Sequence, residues 1–171
     1  DLRLASVNPS PYTEGVASSP SRIAAMNERP TVAAPRWFLI VSFLFLLWNL
    51  FGAAVFAAAM TVFRSPEALA EAGLNEQQIE LTLATPTWVN IAFGVAVIFG
   101  VLGCLALVMR KIAAIPLLIL SLLGVAAQNT YMYLLSDTVQ VMGVGASPFV
   151  ILGAVALVPF AMFGGRREWL Q

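Results

Sequence analysis

The chain has 171 residues, 60% of them hydrophobic and 11% charged, with a mean hydropathy of +0.86, a composition outside that of soluble globular domains and typical of integral membrane proteins. Nine basic and nine acidic residues cancel to a formal charge of zero with a pI near 6.4, and no basic stretch interleaved with aromatics occurs, which sets a nucleic-acid partner aside. Histidine is absent and Cys104 is the single cysteine: no intrachain disulfide or Ser/His/Asp triad can be built, a zinc site would need carboxylates or that lone thiolate, and no metal or cofactor is expected.

Residues 1–36 are rich in Ser, Pro, Ala and Asn and lack a sustained apolar period, which predicts a disordered cytoplasmic tail. Because residue 1 is Asp, the sequence reads either as a fragment or as a chain whose natural start is Met26, leaving residues 1–25 outside the natural protein. Four apolar segments follow, and crossing a bilayer core takes roughly 20 helical residues. They cover residues 37–63, 88–109, 112–135 and 147–165, and predict an all-α membrane protein of four transmembrane helices. The fourth is shorter and contains Pro159, yet Ser147 suits an N-cap and Pro148 the first helical turn. The first is too long for the apolar region of a signal peptide, about 7 to 15 residues, so it reads as a retained helix.

Lys and Arg near span ends favour the cytoplasm. Arg3, Arg22, Arg29, Arg36, Arg110, Lys111, Arg166 and Arg167 fall on one side, and Arg64 alone falls on the other, with Glu67, Glu71, Glu76, Glu80 and Asp137. Both termini, including residues 166–171, are therefore expected in the cytoplasm, with the bacterial inner membrane as the location. In the outer loop, residues 64–87, Ser65 and Pro66 read as a helix start, Gly73 as a stop, and Asn75 with Gln78 as a second start. Two short acidic helices follow from that pattern. They serve as a solvated link or, in a sharper reading, as a lid or a docking surface for a periplasmic partner.

Trp37, Trp88 and Trp169 lie near the expected interfaces, where indole rings anchor helices. Trp48 differs in lying at mid-membrane beside Asn49. Ser42, Phe45, Asn49, Gly52 and Phe56 share one face of the first span, and Ser121, Gly124, Gln128 and Tyr131 share one face of the third. The second span carries Asn90, Gly94, Val97, Val101 and Cys104 on one side, and Ala96, Gly100, Gly103 and Leu107 on another. Gly94, Gly100 and Gly103 mark helix-packing surfaces, either for two neighbours in the bundle or for a second copy of the chain.

At 1.5 Å per residue, Asn49 and Gln128 lie about 20 and 25 Å beyond the cytoplasmic ends of their helices, so the polar content is biased outward. An amide in hydrocarbon is costly without a partner, and interhelical hydrogen bonding is the first use expected of Asn49, Asn90 and Gln128. The alternative is an outward-facing pocket for something small and uncharged, with Trp48 or Tyr131 as a stacking surface. No Asp, Glu, Lys or Arg lies within a span, which argues against proton-coupled export, and no base with evident geometry points to an enzyme.

Four spans in so short a chain invite comparison with small multidrug resistance transporters, which depend on a first-helix glutamate absent here, and with semi-SWEET sugar transporters, whose three helices and Pro-Gln motif are also absent. The stretches RWFLIVSFLFLLWNLFGAAVF, SPEALAEAGLNEQQIELTLATPTW and GVLGCLALVMRK are similar to small four-helix bacterial inner-membrane proteins of unknown function, some loosely labelled sugar transporter. The resemblance covers residues 36 to about 168. No established motif assigns it an activity; the outer-half cluster of Asn49, Asn90, Gln128 and Trp48 leads to the expectation of a small transport-type protein for an uncharged solute such as a sugar. The rival expectation is a structural or accessory subunit that packs on a larger membrane complex through the glycine faces of the second span, whereas a transporter is expected alone or as a homo-oligomer.

Overall fold

The computed structural model describes residues 33–145 and 147–170. The expected disordered tail lies outside the described residues as far as residue 32, and residues 33–35 lead without regular structure into the first helix.

Among the described residues, seven α-helices and one π-helical turn follow in chain order. These are α1 (Arg36–Thr61), α2 (Pro66–Glu71), α3 (Glu76–Leu83), α4 (Thr87–Val108), α5 (Ala114–Thr130) continued by the π turn Tyr131–Leu135, α6 (Thr138–Met142) and α7 (Ser147–Arg166). Helices α1, α4, α5 with its π turn, and α7 are each long and apolar enough to cross a membrane, and no strand occurs among the described residues. The chain is therefore an all-α protein built on four membrane-spanning helices. Pro159 lies within α7 without interrupting it, at the cost of one intrahelical hydrogen bond.

Local chemistry sets the short helices. Ser65 Oγ accepts from the Ala68 N–H at 3.2 Å with Pro66 in the first position, and Gly73 ends α2 at φ +88°. Asn75 and Gln78 form a reciprocal capping box at the start of α3, with bonds of 2.9 and 3.1 Å. The sequence does not announce α6, where the Asp137 side chain makes no cap bond. It packs against α3.

Lipid gives helices no hydrophobic reason to associate, so close packing depends on small residues. Helix α4 is the central element and the most buried of the four spans. The series Ala92, Ala96, Gly100, Cys104 places a small side chain at every fourth position. A Cβ on Gly124 of α5 would lie 2.6 Å from the Ala96 nitrogen and 2.7 Å from the Ala92 oxygen, so backbone meets backbone there. Helix α1 packs along α4, with Phe56 against Phe93 (centroids 5.0 Å apart) and its ring over Gly94.

The main apolar core sits at the end that carries Arg36, Arg110, Lys111, Arg166 and Arg167, hereafter the basic end. Phe38, Cys104, Leu107, Leu118, Leu157 and Ala161 form it. Two chain reversals complete it. Arg110 (φ +59°) and Glu168 (φ +58°) adopt the left-handed conformation that closes a helix C-terminus, with Lys111 N–H donating to Ala106 O at 2.7 Å and Trp169 N–H to Gly164 O at 3.0 Å. The second reversal returns Trp169 and the buried Leu170 to the bundle. Trp169, expected only as an interface anchor, stands 5.8 Å from Trp37 and 5.3 Å from Phe38, and Phe38 stacks on Phe160 at 4.7 Å. Residues 166–170 are thus part of the packed fold. The Arg110 Nε–H donates to Trp169 O at 3.0 Å and ties the α4–α5 connection to this segment.

Candidate functional site

Polar side chains within the spans are satisfied first by their own helices. Ser42, Asn49, Thr61, Asn129 and Thr130 each donate to the carbonyl four residues earlier, at 2.7 to 2.9 Å. Asn49 does more. Its Nδ2 donates to Phe45 O at 2.9 Å and to Cys104 Sγ of α4 at 3.4 Å, and its Oδ1 lies over Gly100, in the space a Cβ there would occupy. That same point is 3.1 Å from Ser121 Oγ, which donates to Ala96 O across the α4–α5 interface at 2.6 Å. Helices α1, α4 and α5 therefore join at one polar node, where each interhelical bond contributes about 0.6 to 1.7 kcal/mol.

The glycines singled out on the second span all meet neighbours of this chain. Gly94 lies under Phe56, Gly100 under Asn49, and Gly103 against Leu118 of α5. At these three glycines α4 is therefore met by α1 and α5 of the same bundle.

The five residues proposed to line a solute pocket divide between two cavities. Trp48, Asn49 and Gln128 line a crevice of about 250 Å³ between α1 and α7, floored by Ser121 and Val125 and closed on the α7 side by Val150, Gly153 and Leu157. Asn90, Gln128 and Tyr131 line a cup of about 460 Å³ at the opposite end from the core, hereafter the acidic end. Gln128 and Phe93 belong to both walls. The amide of Gln128 has no hydrogen-bond partner among the described residues.

The crevice exists because α1 and α7 meet near the basic end, through Phe38, Phe160 and Gly164, and separate beyond it. Gly52 of α1 and Gly153 of α7 have no atom within 4 Å of a built Cβ. On its lateral side the crevice gives onto a groove of about 370 Å³ lined by Val41, Leu44, Phe45, Trp48, Phe149 and Gly153. The Trp48 ring is half exposed there.

Loop helices and the π turn shape the cup. Thr82 of α3, Thr85, and Thr138 of α6 line it, and the π turn sets Tyr131 and Met132 on its wall, with Trp88 edge-on to Tyr131 at 5.7 Å. A π turn inside a helix recurs at functional positions. The Thr82 and Thr85 hydroxyls donate to Gln78 O and Leu81 O at 2.7 and 3.2 Å, which spends their protons and leaves their oxygens with acceptor capacity only. Arg64 is the one charged residue in the lining, and Glu67, Glu71, Glu76, Glu80 and Asp137 are exposed outside it. Glu67 is held below the usual carboxylate range, chiefly by its own backbone N–H and then by the Ser65 hydroxyl. Among the described residues no three metal-ligating side chains cluster.

Sequence reasoning did not find Thr82, Thr85, Thr138 or Arg64 as cup residues, nor any wall of α7. The threonines are ordinary loop-helix residues in sequence, and Gly153 sits in an apolar run with no periodic signal. Comparison with protein-family models, with curated proteins and with solved structures finds no match to this chain.

Proposed function

We propose that this chain is a small transport-type protein of the bacterial inner membrane that admits an uncharged, hydroxylated solute such as a sugar from its acidic end. The observation that carries the reading is the position of Gln128, an amide without a protein partner standing where the cup meets the crevice. Around it the cup offers acceptors from Thr82 and Thr85, and both donors and acceptors from Asn90 and Gln128. A hydroxyl group needs both. The distribution of Lys and Arg supports a periplasmic cup and cytoplasmic termini, since Arg64 is the one basic residue at the acidic end among the described residues.

The core at the basic end closes the path toward the cytoplasm in this arrangement, so transport requires a second arrangement in which that end opens. Equilibrium binding of radiolabelled monosaccharides to the purified protein tests the first step. Gln128→Leu and Asn90→Leu each remove about 1 kcal/mol of net hydrogen bonding and should weaken binding about fivefold. Absence of saturable binding, or binding unchanged in both variants, refutes the reading. A stoichiometric protein partner retained through purification in mild detergent would favour the accessory-subunit alternative instead.

A further inference from the structure

We infer that the ligand of this site is an amphiphile, with a neutral hydroxylated head in the cup and a single apolar chain in the crevice between α1 and α7. The inference rests on the solute reading above and narrows its ligand class.

Three observations carry it. First, the cavities form a series: Gln128 and Phe93 are common to cup and crevice, and Phe45, Trp48 and Gly153 are common to crevice and lateral groove. A free sugar has no use for the second and third members. Second, the chemistry changes along the series. The cup is rich in hydroxyls and amides, whereas beyond Gln128 the crevice walls are aliphatic and aromatic apart from Asn49 and Ser121, whose polar hydrogens are spent on Phe45 O, Cys104 Sγ and Ala96 O. Transferring a hydroxylated molecule there would strip its water without replacing it. An alkyl chain loses nothing. Third, the groove opens sideways between two membrane-spanning helices, past the exposed side chains of Leu44, Trp48 and Phe149, and so faces the bilayer rather than water.

The dimensions agree. From Met60 at the cup to Gly52 and Trp48 in the crevice is 8 to 12 residues of α1, about 12 to 18 Å at 1.5 Å per residue, the reach of one alkyl chain. A neutral head suits a cup whose single cation, Arg64, is followed by the acidic helices α2 and α3.

The test uses the full chain in phosphatidylcholine nanodiscs and an alkyl glucoside with a photoactivatable diazirine at its chain end. Expected is saturable labelling confined to residues 45–55 of α1 and 150–157 of α7, displaced by octyl glucoside at a concentration at least tenfold below that of glucose. Gly153→Phe, which fills space where no atom lies within 4 Å, should reduce labelling at least fivefold. Folding is checked by protection of the buried Cys104 thiol from maleimide, and if Gly153→Phe fails that check, Gly52→Leu obstructs the crevice from the α1 side. If glucose binds and displaces the probe as well as octyl glucoside does, the solute reading survives and the amphiphile is wrong. If neither binds, both fall. Labelling that does not saturate and spreads over exposed positions outside those two stretches, such as Ile40 and Leu123, means partition into bulk lipid and also overturns the inference.

Discussion

Replacing Gly124 by Ala tests whether backbone contact between α4 and α5 holds the bundle together. The added Cβ would stand 2.6 Å from the Ala96 nitrogen and 2.7 Å from the Ala92 oxygen. Both are main-chain atoms inside a helix and cannot rotate away. Relief requires the helices to move apart by about 0.8 Å, the gap between 2.6 Å and the 3.4 Å of ordinary contact. One turn away, the Ser121 Oγ–Ala96 O bond would stretch from its present 2.6 Å toward the limit of a hydrogen bond. Overpacking costs about 1 to 3 kcal/mol, and loss of that bond about 0.6 to 1.7 kcal/mol. A destabilisation of about 2 to 4 kcal/mol is expected, reduced by up to about 1 kcal/mol through the better helix propensity of Ala. Gly153→Ala provides the matched control: the chemistry is the same, the site is also within a span, but no atom lies within 4 Å. Its stability should stay level or rise slightly. Unfolding both variants by SDS titration in mixed micelles, followed by circular dichroism, measures the difference. Coincident unfolding of Gly124→Ala, Gly153→Ala and the parent would refute the close contact.

Three further outcomes follow from the geometry. Glu168 holds φ +58° with an exposed side chain, so Glu168→Gly should stabilise by about 0.5 to 1 kcal/mol and Glu168→Val should destabilise, both read from thermal unfolding. Cys104 is fully buried beneath Asn49, and its reaction with maleimide should be at least a hundredfold slower in the folded protein than in SDS; comparable rates would mean that the α1–α4 interface is open. Because Glu67 titrates below its ordinary value in the folded chain, its contribution to the start of α2 is present above pH about 4.3 and is lost as pH falls through the lowered value. Ser65→Ala should move the Glu67 titration upward in a side-chain carboxyl NMR experiment, and an unchanged midpoint would contradict the contact.

How much was legible in the sequence depends on how local the determining chemistry is. The spans follow from composition, and α2 and α3 follow from caps whose partners lie within three residues, Ser65 with Ala68 and Asn75 with Gln78. Helix α6 has no such cap, and its place depends on packing against α3, a contact between loops that are far apart in sequence. The stripe from Ser42 to Phe56 was legible as a face, but what it faces was not. Ser42 spends its proton on Phe38 O, Asn49 divides its protons between Phe45 O and Cys104 Sγ, and Gly52 borders empty space. Periodicity reports which side chains share a side of a helix; it cannot separate a bond to the preceding turn from a bond to the next helix. Glycines carry the same ambiguity. Gly100 and Gly124 permit close approach, whereas Gly52 and Gly153 line a crevice, and all four lie in similar apolar runs.

The connections explain why one end of the bundle is packed and the other open. At the basic end α4 passes to α5 within residues 109–113, and the C-terminal reversal folds Trp169 and Leu170 onto Phe38, with the Arg110 Nε–H bonded to Trp169 O. All four spans are bound there by short covalent links, aromatic stacking and a hydrogen bond. At the acidic end α1 reaches α4 through residues 62–86, and the π turn reaches α7 through residues 136–146, so neither connection forces α1 onto α7. A change in the spacing of those two helices meets no atoms at Gly52 or Gly153, whereas a change between α4 and α5 is opposed at once by the backbones at Gly124. The soft coordinate of the fold is therefore the width of the crevice, and Gln128, fixed on α5 at the mouth of that crevice, stays in place while the α1–α7 gap varies.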